Sequence, residues 1–98
     1  MSSAALRIVE QDRRRAMLAV LLVAPAFRFP VRAVRQGVEG LGYVVSLDLA
    51  RTDIAWLVEQ GLVEQADEVV TLTDRGNDVV MGRVAQPGVK RPEPGQIG

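Results

Sequence analysis

From Ala4 to Val23 the chain has neither glycine nor proline, and apolar residues recur at helical spacing. This predicts a first helix over 4–23. Its second half is apolar nearly all round. Met17, Leu18, Leu21 and Leu22 lie on one side, and Ala16, Ala19, Val20 and Val23 on another. A helix without a wet face is buried twice. Either a partner subunit or the chain's own C-terminal helix would cover the second face, and the sequence leaves that choice open.

Pro25 ends the first helix. Pro30 then suits the first turn of a second. Val31, Val34, Val38 and Leu41 fall at i, i+3, i+7 and i+10, one helical stripe, with Arg32, Arg35 and Glu39 off it. Gly42 suits a left-handed cap, so helix 2 spans 31–41. Tyr43 to Val45 reads as an extended link able to form a one-bridge strand. Ser46 is a good N-cap, and Asp48 puts negative charge in the first turn of a third helix. Ala50, Ile54 and Leu57 form its inward stripe, and Gly61 ends it. Leu62 to Gln65 reads as a strand, Ala66 to Glu68 as a tight reversal, and Val69 to Leu72 as the return strand. Thr73 caps a last helix over 74–84. "AQPGVKRPEPGQIG" carries three prolines and three glycines without periodicity and reads as a flexible tail over 85–98. The expected class is mainly α with a small β-hairpin (α+β), in one domain over 1–84.

Ninety-eight residues suit a single domain, and 48% of them are hydrophobic, enough for a core. Cysteine and histidine are both absent. That removes disulfides, thiolate metal sites and the commonest general bases and zinc ligands. No phosphate-loop pattern, metal-ligand spacing or nucleophile–base pair is present. An enzyme is therefore not expected, and no cofactor or metal is expected either. "RRRAMLAVLLVAPAF" has the outline of a secretory signal. The segment before it continues the helical pattern, however, and the run is too short to span a bilayer. A core helix and a cytoplasmic protein are the expectation.

The order helix, helix, turn, helix, hairpin, helix is the winged-helix plan. "LARTDIAWLVEQGLV" and "VVTLTDRG" resemble the recognition helix and wing of bacterial winged-helix repressors of the arsenic-sensor and multiple-antibiotic-resistance types. Leu57, Gly61, Leu62, Val63, Leu72, Thr73 and Gly76 occupy the shared places, and the likeness covers about Arg13 to Arg83. "DRRRAMLAVLLVAPAF", "RTDIAWLVEQGLV" and "GRVAQPGVKRP" also look like a small winged-helix family of Mu-like phages and prophages. Its members are mostly labelled uncharacterised or repressor-like.

The resemblance implies double-stranded DNA as partner, with helix 3 in the major groove. The candidate DNA-binding residues are Arg28, Arg32, Arg35, Ser46, Asp48, Arg51, Thr52 and Ala55. Arg51 could fork onto guanine, and Thr52 could meet a base or a thymine methyl. Charge argues the other way. Formal net charge is zero, helix 3 carries a net of minus two, and the hairpin carries minus three. Nonspecific DNA affinity comes largely from Lys and Arg displacing counterions. The alternative is a winged helix serving as a protein-interaction module. It would use the acidic helix 3 and wing, or the apolar second face of helix 1, and the candidate interface, which would also serve a homodimer through helix 1, comprises Ala16, Ala19, Val20, Val23 and Trp56. Asp53, near the inward face, needs a cation, and Arg51, Arg35 and Arg75 are the candidates.

Overall fold

The computed structural model describes residues 3–92. The elements run α1 (Ala4–Leu22), a one-turn 3-10 segment (Pro25–Phe27), β1 (Arg28–Pro30), α2 (Val31–Gly40), α3 (Leu47–Glu59), β2 (Val63–Ala66), β3 (Val69–Leu72) and α4 (Asp74–Val80). Four helices and a three-stranded antiparallel sheet make an α+β architecture whose layout is consistent with a winged-helix-like plan.

Side-chain oxygens open three of the helices. Ser3 accepts from the Leu6 amide, Ser46 from the Leu49 amide and Thr73 from the Gly76 amide. Each satisfies one of the donors that a helix start leaves without a partner. Thr73 also donates its hydroxyl to the Gly61 carbonyl at 2.7 Å, which ties the start of α4 to the end of α3. Gly76 sits where those segments meet. A Cβ there would lie 2.0 Å from the Leu62 carbonyl oxygen, so only glycine fits.

The core is continuous. Met17, Leu18 and Leu21 of α1 pack with Val34 and Val38 of α2, Ile54 and Leu57 of α3, and Val70 of β3. The second face of α1 is covered largely from within the chain, since α1 packs against both α2 and α4. The apolar run that outlined a signal is thus a core helix. Among the described residues, no helix is long and apolar enough to cross a membrane.

The sheet has one strand more than the pattern predicts. β3 pairs with β2 on one side and with β1 on the other, in the order β1-β3-β2. Arg28 lies opposite Thr71, Phe29 opposite Val70, and Pro30 opposite Val69. Residues before a proline favour extended backbone, and Phe29 precedes Pro30. Proline itself is tolerated on an edge strand. The chain reaches this edge through Ala26 and Phe27, two consecutive non-glycine residues with φ of 55° and 59°.

Tyr43 to Val45 forms no strand. Val45 is buried instead, and the Tyr43 hydroxyl donates to Asp12 at 2.6 Å, so side chains hold the link. α4 stops at Val80, four residues before the expected end. Of the expected tail, residues 86–90 lie along α1 and α3. Lys90 donates its amide to the Gln11 carbonyl, Gln86 donates to the Gln60 side chain, and Val89 is buried in the core. Residues 93–98 lie outside the described residues.

Candidate nucleic-acid interface

Ser46 begins α3 beside the sheet, and the helix buries Ala50, Asp53, Ile54 and Leu57. Its outward side presents Asp48, Thr52 and Ala55, all exposed, with Arg51 half-exposed beside them. Arg51 is not open to solvent on its guanidinium edge. It donates two hydrogen bonds to the Glu68 carboxylate, Nη1 to Oε2 at 2.8 Å and Nη2 to Oε1 at 2.5 Å. Glu68 lies at the tip of the β2–β3 hairpin. Its main-chain carbonyl also accepts from the Val31 amide at 2.8 Å, at the first residue of α2. One residue thus ties the hairpin tip to the start of α2 and to the exposed side of α3. The Arg51 hydrogen bonds hold the Glu68 carboxyl below its usual range, with the Arg51 charge and then the Arg32 charge adding to the effect.

The hairpin acids therefore do more than repel phosphate. Glu68 neutralises the one arginine on α3. On sequence alone Glu68 is one of three acids on the hairpin, paired with Asp67 at its tip. The signal available was its place at a two-residue turn, seventeen positions from Arg51, but nothing in the spacing fixes which acid turns inward.

The other candidates divide clearly. Arg28 on β1 and Arg32 on α2 are exposed, and the Arg32 charge acts on Glu68. Arg35 is half-buried. It donates to the Val45 carbonyl at 3.2 Å and pairs with Glu39 at 3.0 Å, bracing α2 against the α2–α3 link. The Ser46 hydroxyl is committed to its cap, and Thr52 donates its hydroxyl to the Asp48 carbonyl at 3.1 Å. Arg51 and Arg32 act on Glu68, Arg28 is exposed on β1, and Arg35 is held by Val45 and Glu39.

Asp53 does not pair with Arg51, Arg35 or Arg75. It takes two hydrogen bonds from Arg13 of α1, inside the protein. Arg51 is turned to Glu68, Arg35 to Val45 and Glu39, and Arg75 to Gln86. The successive arginines of α1 point around the helix and separate accordingly. Arg13 goes to Asp53, Arg14 stacks on Trp56 with 3.9 Å to the ring centroid, and Arg15 lies 3.9 Å from Asp12.

The candidate interface residues also scatter. Ala16 and Val20 are buried inside the protomer, so neither offers a surface to a partner. Ala19 is half-buried and Val23 is 81% exposed. Trp56 is half-buried between Arg14 and Gly88.

Over 60 residues the chain is 48% identical to a protein of Escherichia phage Mu described as "uncharacterized protein gp26". The match spans 57% of this chain and 62% of the phage protein. No family model and no solved structure matches the chain. The likeness supports a phage origin.

Proposed function

We propose that this chain is a small winged-helix DNA-binding protein of phage type, acting as a transcriptional regulator from the cytoplasm. In this reading it works by binding alone, with no catalysis and no cofactor. α3 enters the major groove, and Arg28 and Arg32 contact the flanking phosphates. The observation that carries the reading is the cluster around Glu68. It brings Arg51 and Arg32 together at the hairpin tip, beside the exposed side of α3.

Arg51 is the residue whose state matters. An exposed ion pair contributes little, because solvent screens it even where the geometry is bidentate. Glu68 can therefore yield Arg51 to a phosphate or a guanine edge at small cost. The free protein keeps its recognition arginine neutralised, and this suppresses binding to arbitrary DNA while leaving the arginine available to a matched site.

A gel-shift assay at two salt concentrations, with phage and host DNA, tests the reading. Phosphate contacts give a steep loss of affinity at the higher salt. Absence of any shift at low salt defeats it.

The Arg51–Glu68 pair also favours a second reading, in which the same surface meets a protein. With Arg51 neutralised, the exposed side of α3 and the hairpin present Asp48, Glu64 and Asp67. A basic partner segment would fit that surface, and binding of a basic peptide without any DNA shift would select this reading.

A further inference from the structure

The β2–β3 hairpin hardly projects past the sheet. Val69 lies opposite Ala66 on one side and Pro30 on the other, so only Asp67 and Glu68 extend beyond the three-stranded part. That short tip is fastened at two points. The Glu68 carbonyl accepts from the Val31 amide at the start of α2, and the Glu68 carboxylate holds Arg51 of α3. While those bonds persist, the tip cannot swing away from the helices.

The side chains of the hairpin are equally unsuited to a narrow groove. Proteins enter the minor groove with Arg, Lys, Asn or Gln, which donate to its base acceptors, or with an apolar wedge. Residues 63–72 include no Lys, Arg or Asn. Their single glutamine, Gln65, donates its side-chain amide to the Asp67 carbonyl at 3.0 Å, within the hairpin itself. Glu64 and Asp67 are exposed carboxylates, which the phosphates flanking a groove repel. Val69 is the one large apolar residue exposed on the hairpin, and it lies within the three-stranded part opposite Pro30, not at the tip.

The outward side of α3 has the opposite chemistry. Arg51 carries a planar fork of donors beside the exposed Thr52 and Ala55. Such a fork matches O6 and N7 of guanine, and both acceptors face the major groove.

We infer that this chain reads duplex DNA from the major groove alone, with its hairpin bracing α3 instead of entering the minor groove. The inference rests on the DNA-binding reading above and narrows it. The partner is a duplex recognised by its major-groove edge, and its minor groove stays open to solvent or to another ligand.

Base analogues separate the two grooves. The probe is a duplex enriched from a random-sequence pool on the full chain and then amplified in three forms. Inosine in place of guanine removes the minor-groove amino group and keeps O6 and N7, whereas 7-deazaguanine removes N7 and keeps the amino group. The inosine duplex should bind within about twofold of the parent duplex. The 7-deazaguanine duplex should bind at least about fivefold more weakly, the lower end of what a bidentate guanine contact provides. Gln65→Ala removes the one amide side chain of the hairpin and should bind the parent duplex unchanged, with circular dichroism as the check on folding. An inosine loss that matches the 7-deazaguanine loss overturns the inference and leaves DNA binding standing. Indifference to 7-deazaguanine does the same, as does weaker binding by a folded Gln65→Ala. Failure to enrich any duplex overturns the DNA-binding reading and this inference with it.

Discussion

The Arg13 guanidinium of α1 grips the Asp53 carboxylate of α3 through two hydrogen bonds, Nε to Oδ2 at 2.5 Å and Nη2 to Oδ1 at 3.1 Å, with both side chains inside the protein. The contact joins elements forty residues apart and fixes the angle of α3 against α1. The Asp53 hydrogen bonds raise the Arg13 pKa above its ordinary value, so Arg13 keeps its charge.

Removing one partner should be costly. Asp53→Ala leaves the Arg13 charge buried without compensation, and losses of this kind run to about 3–5 kcal/mol. For a domain whose total stability is on the order of 5–15 kcal/mol, that is a large fraction. Urea unfolding followed by circular dichroism measures it. The double variant Arg13→Met with Asp53→Leu should recover most of the loss, because an apolar pair of similar volume removes both desolvation penalties. Equal destabilisation by the single and double variants would show that packing at the site, not uncompensated charge, dominates.

Tyr43 gives the protein an alkaline stability limit. Burial, and then its hydrogen bond to Asp12 and the Asp12 charge, push its pKa from 10.0 up to about 12. The folded state therefore holds the proton more tightly than the unfolded state. The stabilisation is fully present below pH 10 and is lost as pH rises through about 12. Unfolding free energy should fall between these values in the parent and fall less in Tyr43→Phe. The chain has a single tyrosine, so a tyrosinate absorbance titration of the folded protein reads the raised midpoint directly.

The helices were the legible part of the sequence, and the reasons are local. Val31, Val34 and Val38 form a stripe that the structure buries, and the Ser46 and Thr73 caps lie where expected. β1 was not legible. Arg28 to Pro30 is three residues long, contains a proline and has no apolar alternation. It is a strand only because β3 offers an open edge to it. The same holds for the partners of the charges. The sequence requires a cation for Asp53, but Arg13 becomes that cation only once α1 and α3 pack together. At the candidate interface, Arg28 and Arg32 were identifiable as exposed bases. The clamp on Arg51 depends on the turn at Asp67 and Glu68, where Asp67 takes a φ of 54°. No periodicity encodes that geometry.

Gly88 is the fastening point of the segment after α4. Its φ is +90°, and a Cβ there would lie 2.6 Å from the Trp56 ring, while its carbonyl accepts from Arg14 at 3.1 Å. Gly88→Ala combines a strained backbone, costing about 1–3 kcal/mol, with a clash against the indole. The segment should detach from α1 while the rest of the fold persists. Trp56 is the only tryptophan, so its emission should shift to the red, and proteolysis should remove the segment after Gln86 faster than in the parent. Unchanged emission would mean that the indole is shielded by α1 and α3 alone.

The Arg51–Glu68 pair makes opposite predictions for its two members. If the chain binds DNA as proposed, Arg51→Ala removes the one basic side chain of α3, and sequence-selective binding should disappear. Stability should stay close to that of the parent, because the pair is exposed and solvent-screened. Glu68→Gln keeps the hairpin, whose link to α2 runs through the main-chain carbonyl, and releases Arg51 from its carboxylate. It also removes a negative charge beside Arg51. DNA affinity should rise modestly, because an exposed pair is a weak one. Selectivity should fall, since a freed arginine also serves mismatched sites. A gel shift comparing matched and scrambled DNA measures both quantities. Weaker binding by Glu68→Gln would assign the carboxylate a positive part in recognition, such as accepting from a cytosine amino group, and would remove the clamp from the mechanism.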